Sequence, residues 1–170
     1  VTGNGLYGLA LTRAGRVWTW GPNRRGELGL DHKANAIEPP TEIPELRDVV
    51  AIARSATSGA AVTRDGRVWT WGHNEQGGLG NGQLADVSEP TYQRPQPMKA
   101  ITDAVDVRAG TDGRHFIVKR RGGTLIGWGN SDWGQLGAGI SGDFQPVPTT
   151  IKLPSVDAYW LGGNFSFART

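Results

Sequence analysis

Short apolar runs alternate along the chain with dense glycine and proline punctuation, the pattern of many short strands joined by turns. Val49–Ala53 is followed by Gly59–Thr63, and Ala104–Ala109 by His115–Lys119. Near the start only Gly5–Thr12 is found, its leading strand nearly absent, and the chain closes on Val156–Leu161 and Phe165–Thr170. A tight turn follows each of the first three second strands: Ala14-Gly15, Asp65-Gly66, or Arg121-Gly122-Gly123. Asp-Gly between alternating segments is a strong hairpin signal, because both turn residues accept positive φ. Third strands then run over Arg16–Trp20, Arg67–Trp71 and Thr124–Trp128. Period-two alternation places Val17 and Thr19 on one face and Trp18 and Trp20 on the other. Ile126 stands where the earlier copies have Trp18 and Trp69.

After each third strand comes the text Trp-Gly-x-Asn-x-x-Gly-x-Leu-Gly, with Asn23, Asn74 and, one place earlier, Asn130. Gly and Asn tolerate the left-handed region and an Asn side chain caps its own turn, so a compact looped reversal is expected. The connections Leu30–Leu46, Asn81–Ala100 and Ala138–Pro154 carry prolines 39, 40, 44, 90, 95, 97, 146, 148 and 154, which confine any strand there to an edge. Trp20, Trp71 and Trp128 recur at spacings of 51 and 57 residues. Self-similarity on this scale marks a repeat architecture. Four short strands per unit, the last limited to an edge, make a propeller blade. The expected fold is all-β: blades of four antiparallel strands forming an incomplete arc of three to three and a half blades. One arc spans 1–170, with units 1–46, 47–100 and 101–154 and a partial unit 155–170.

The blocks Ala10–Gly29 and Val62–Gly80 resemble, residue for residue, the repeat of the regulator of chromosome condensation family. The third block fits well and the fourth covers the opening half of a unit. Kelch repeats are similar in length, but the doublets Gly77-Gly78, Gly122-Gly123 and Gly162-Gly163 fall at different places in the unit. The resemblance implies a seven-bladed ring, which three and a half units cannot close alone. The remaining blades are therefore expected from a longer parent chain or from a second copy.

Composition narrows the chemistry. Apolar content of 37% with 20% charged residues is globular, and no run approaches a membrane span. No membrane partner is expected. Zero cysteines exclude disulfides and thiolate chemistry. No targeting segment is visible at Val1, which points to a trimmed or processed piece, and the compartment stays open. His32, His73 and His115 occupy different places in the unit without ligand spacing, and the glycines serve turns rather than a phosphate loop. Neither an enzyme, a cofactor nor a metal is expected.

Two groups of residues are candidates for contact with a partner. Arg13, Arg16, Arg64, Arg67, Lys119, Arg120 and Arg121 flank the same hairpin turn in successive units, so they line one rim, joined by Arg169. That rim suits an acidic partner, a protein or, more weakly, nucleic acid. Solubility of polar hairpin tips is the competing reading, with Asp65 diluting the charge. The acids Asp31, Glu38, Glu42, Glu45, Asp86 and Glu89 fall in the outer connections. Trp133 sits in a loop where the other copies carry Arg25 and Gln76, and is an anchor candidate, as is Trp160 outside the recurrent positions. The pairs Trp20-Gly21, Trp71-Gly72 and Trp128-Gly129 are structural repeat positions, and Trp18, Trp20, Trp69, Trp71 and Trp128 are expected to pack between blades. The function expected is a rigid protein-interaction scaffold whose loops choose the partner. The resemblance also admits a guanine-nucleotide exchange factor, a secreted enzyme inhibitor or a self-assembling structural module. Exchange would need an inserted wedge loop, and Asn81–Ala100 reads as an ordinary connection.

Overall fold

The computed structural model describes residues 7–32, 34–84, 92–110, 113–139 and 142–170. Asp86, Glu89 and Pro90 lie outside the described residues. Three strands open the chain: β1 (Gly8–Leu11), β2 (Val17–Asn23) and β3 (Ala34–Glu42). Two four-stranded sheets follow. The first holds β4 (Val49–Arg54), β5 (Ser58–Thr63), β6 (Val68–Gly72) and β7 (Tyr92–Met98). The second holds β8 (Ala104–Ala109), β9 (His115–Arg120), β10 (Leu125–Asn130) and β11 (Phe144–Ile151). β12 (Ala158–Leu161) and β13 (Ser166–Arg169) form a last hairpin. Within every sheet the strands pair in chain order and antiparallel.

Pro39 and Pro40 lie on β3, Pro95 and Pro97 on β7, and Pro146 and Pro148 on β11, each the outermost strand of its sheet. A proline withholds a ladder donor, and only an edge tolerates that. At the opposite edges β4 packs against β8.

Each hairpin staples its blade to the next. Gly15, Gly66 and Gly123 take φ of +71°, +89° and +83°, the left-handed region open to glycine. Their carbonyls accept from the amides of Val49 (3.1 Å), Ala104 (3.0 Å) and Val156 (3.2 Å), at the start of the following unit. At Gly66 a Cβ would lie 2.5 Å from the Thr102 carbonyl oxygen, so glycine is needed for the approach as well as for the turn.

Alternation assigns each strand face to one neighbouring blade. Leu9 and Val17 face forward and meet Ala61 and Trp71, which face back, together with Ile43, Leu46 and Val49. Across the next gap Ala60, Val62, Val68 and Met98 meet Phe116, Val118, Ile126 and Trp128. The third gap is lined by Ile117, Leu125, Leu136, Ile151, Val156 and Tyr159. Every position of β5 is therefore buried, as expected of a strand covered on both faces.

The tryptophans do not all pack between blades as expected. Trp71 and Trp128 are fully buried, and Trp69 is half-buried against the first apolar cluster. Trp18 is exposed and Trp20 only half-buried. Both point backward from the first sheet, where no blade stands among the described residues.

Candidate functional site

The strand–turn–strand units bring the basic residues to one end of the sheets, and acids close much of their charge. Arg16 pairs with Glu42 of the neighbouring strand β3, and Glu42 also takes Arg47 at 3.0 Å. Arg67 pairs with Asp65 at 3.1 Å, and Arg120 with Asp103 at 2.6 Å. Lys119 donates to the Asp157 carbonyl at 2.9 Å. The Thr63 hydroxyl, donating at 2.6 Å, holds the Asp65 carboxyl below the usual carboxylate range, while the Asp103 hydrogen bond raises the Arg120 guanidinium further. Arg13, Arg64 and Arg121 are exposed and form no ion pair among the described residues. A groove of about 520 Å³ runs along this rim, lined by Arg47, Arg64 and Arg67, by Glu45, Asp48 and Asp65, and by Trp69. Sequence reasoning did not bring out Arg47, Asp103 or Asp48 as rim residues. They sit just ahead of the first strand of the following blade, and only the staple to that blade carries them to the hairpin tips.

At the other end, the Trp-Gly loops interlock. Gly21, Gly72 and Gly129 have φ of +111°, +95° and +97°, and a Cβ at Gly72 would meet the Thr57 carbonyl oxygen at 2.5 Å. Asn23 and Asn74 cap the loops as expected: their Oδ1 atoms accept from Leu28 and Leu79 amides, both at 3.0 Å. Asn130, one place earlier, also caps its own loop, by a shorter reach: its Oδ1 accepts from the Asp132 amide (2.9 Å) and from Gln135 Nε2 (2.6 Å), and its Nδ2 donates to Gln76 Oε1 (2.7 Å) of the preceding blade. Each indole buried between blades donates to the preceding loop, Trp71 to the Glu27 carbonyl and Trp128 to the Gly78 carbonyl, both at 3.0 Å. Glu75 joins three loops by accepting from Arg25 (3.1 Å) and Arg114 (2.9 Å).

His115 is buried between Gly110 and Gly113. Its Nδ1 donates to the Gly113 carbonyl at 3.2 Å, and Nε2 lies 3.4 Å from the Ser166 hydroxyl, the arrangement of a neutral ring. Burial holds its pKa below the ordinary histidine value. Among the described residues no group of three or more His, Asp or Glu side chains could hold a metal ion.

Trp133 is 75% exposed at its loop tip, and Trp160 48% exposed on β12. Trp133 borders a cleft of about 260 Å³ at the trailing flank, shared with Leu136, Ile151, Tyr159, Phe165 and Phe167. Phe165 and Phe167, exposed with rings 5.2 Å apart, escaped sequence reasoning because apolar residues in a strand read as core until the missing neighbour is seen.

Antiparallel sheets ordered along the chain and stacked face to face, with apolar clusters filling the gaps between them, define a β-propeller arc. The sequence model of the regulator of chromosome condensation (RCC1) repeat matches residues 14–62 and 65–113, and the chain belongs to that family. It is 31% identical over 155 residues to the RCC1 domain-containing protein RUG3, mitochondrial, of Arabidopsis thaliana, covering 90% of this chain and 34% of that protein. It is 30% identical over 175 residues to the human E3 ubiquitin-protein ligase HERC2, covering 98% of this chain but 4% of the ligase. Among solved structures, Prp20p from Saccharomyces cerevisiae superposes with a TM-score of 0.82 at 22% identity, over 98% of this chain and 42% of that one. Human WBSCR16 superposes at 0.75 and 23% identity, over 95% and 42%. The chain thus spans less than half the length of these relatives.

Proposed function

We propose that the chain is a non-enzymatic protein-interaction scaffold, one arc with units 1–46, 47–100, 101–154 and 155–170, that presents its hairpin rim to an acidic protein surface. The observation that carries this reading is the set of exposed arginines at equivalent tips, Arg13, Arg64 and Arg121, which no acid of the rim neutralises. Arg16, Arg67, Lys119 and Arg120 stand beside them, already engaged, and keep the tips in place. Trp133 offers an apolar contact at the opposite end. The neighbours' printed titles support a protein partner: Prp20p is described with binding properties to Gsp1p and histones, and yeast RCC1 (Prp20) is bound to Kap60. Rigid blades and unpaired tip charges suit electrostatic capture, where long-range attraction mainly accelerates encounter.

The test is binding of a fluorescein-labelled polyglutamate peptide, read by anisotropy at low and moderate salt. Reversing Arg13, Arg64 and Arg121 together to Glu should weaken binding by about tenfold or more, and flatten its salt dependence. Arg24→Glu, an exposed change in the Trp-Gly loop at the other end of the sheets, should leave it within about twofold. Equal binding by the rim variant would overturn the reading, and tighter capture of a DNA duplex than of the peptide would transfer the rim to nucleic acid.

A further inference from the structure

The groove at the Arg64 tip has a chemistry that the next gap does not share. The same backbone bonds recur in both gaps: the Arg64 amide donates to the Asp48 carbonyl at 2.8 Å, and the Arg121 amide to the Asp103 carbonyl at 3.0 Å. The two can therefore be compared place by place. In the second gap Ala100, Thr124 and Ile126 hold the places of Glu45, Arg67 and Trp69. Ile126 is buried in its apolar cluster, whereas Trp69 is half-buried and lines the groove. The repeat does not require this lining, so its polar groups call for another explanation.

Most of the charge in the groove is already committed. Arg47 donates to Glu42 at 3.0 Å and to the Leu46 carbonyl at 2.9 Å. Arg67 pairs with Asp65, and Glu45 Oε1 lies 3.4 Å from Arg94. Four groups are left over among the described residues. Arg64 and Asp48 are exposed and form no ion pair. Trp69 Nε1 and Glu45 Oε2 are buried and have no hydrogen-bond partner. Such orphans are costly and uncommon in folded proteins. Two of the four groups, a cation and an N–H donor, suit an anion; the other two are acceptors that need donors. The wall that carries the acceptors is fixed, because the segment 45–48 is tied to one hairpin through Asp48 and, by the Val49 amide, to the Gly15 carbonyl of the other.

We infer that this groove takes one acidic side chain of an extended peptide segment of the partner. Its carboxylate engages the Arg64 guanidinium and accepts from the Trp69 indole N–H, while backbone N–H groups of the same segment donate to Glu45 Oε2 and Asp48. A small carboxylate anion satisfies only the first pair, so the two unfilled acceptors point to a peptide. The indole N–H is shielded in the free chain, and exposed side chains such as Arg64 and Arg67, which change rotamer rapidly, admit the carboxylate to it. This inference rests on the acidic-partner reading of the rim. It adds which of three similar tips binds a carboxylate directly rather than attracting it from a distance.

The test reads Trp69 itself. An isotope-labelled chain carries seven indole N–H groups, and the cross-peak lost in Trp69→Phe is that of Trp69. Unlabelled polyglutamate peptide should move this cross-peak downfield, as a newly formed hydrogen bond requires, and glutarate at equal carboxylate concentration should move it far less. By anisotropy at moderate salt, Arg64→Gln should weaken binding of the labelled peptide by about tenfold, and Trp69→Phe by about fivefold or more. Arg13→Gln and Arg121→Gln, at the equivalent tips, should each stay within about threefold. If Trp69→Phe loses structure by far-UV circular dichroism, the cross-peak shift and Arg64→Gln decide. Equal losses at the three tips, or a static Trp69 cross-peak at saturation, would overturn the groove site and leave the rim reading in force. A glutarate shift as large as that of the peptide would overturn the assignment to a peptide segment. A chain that binds no polyglutamate at all would overturn both readings.

Discussion

Trp128 gives the sharpest test of how the blades are held together. Its indole is fully buried, stacks on Phe116 at 5.5 Å with ring planes 13° apart, and donates to the Gly78 carbonyl 50 residues away. Trp128→Ala removes all of this and should cost about 3–5 kcal/mol, the usual range for deleting a buried aromatic. Against a typical total of about 5–15 kcal/mol that is a large share. Trp128→Phe separates the terms: the ring can remain on Phe116, but the Gly78 carbonyl loses its donor, at about 1–3 kcal/mol. A double-mutant cycle with Phe116→Leu should return a coupling of about 0.5–1.5 kcal/mol for the stack. Urea unfolding followed by far-UV circular dichroism reads these values without depending on the fluorophore being replaced. With a slope near 2 kcal/mol per molar, Trp128→Ala should lower the midpoint by roughly 1.5–2.5 M. Trp18→Ala, at the same strand face but exposed, should cost under about 1 kcal/mol. If Trp18→Ala proves as costly as Trp128→Ala, the interblade seat is not what stabilises the arc and the argument fails.

Gly80→Ala forces a Cβ against the Trp128 indole at positive φ and should cost clearly more than Gly137→Ala, which carries only the backbone strain of about 1–2 kcal/mol; equal thermal shifts would deny that the close approach of the indole demands glycine at position 80. Because the folded state holds His115 neutral, with a pKa depressed by burial, the unfolded chain binds its proton first; stability is therefore complete above pH 6.5 and falls as pH drops below it. His115→Gln should flatten that acid limb of a stability-versus-pH curve, and an unchanged limb would assign it to other groups. Asp103→Asn breaks a solvent-exposed pair with Arg120 and should change the unfolding free energy by less than about 1 kcal/mol, a small effect that high salt reduces further.

Much of the architecture was legible in the residues because it is local. Asp65-Gly66 dictates a turn, Pro95 and Pro97 forbid an interior strand, and alternation along β2 and β6 sorts side chains onto two faces. The repeated Trp-Gly text exposed the period and with it the blade. Asn130, one residue earlier in the text than Asn23 and Asn74, still accepts from an amide of its own loop, that of Asp132, but the offset also brings it to Gln76 and Gln135, partners that the repeat text does not reveal.

Sequence alone determined the strand order, the turn chemistry and the membership of a repeat family, all of which follow from the torsional preferences and spacing of near neighbours. Tertiary structure decided which of five similar tryptophans are buried and which rim arginines find an acid. Those outcomes depend on what lies opposite a face, often about 50 positions away, and alternation names the face without naming its neighbour. Trp18 and Trp69 share one motif, yet one meets a blade and the other meets water.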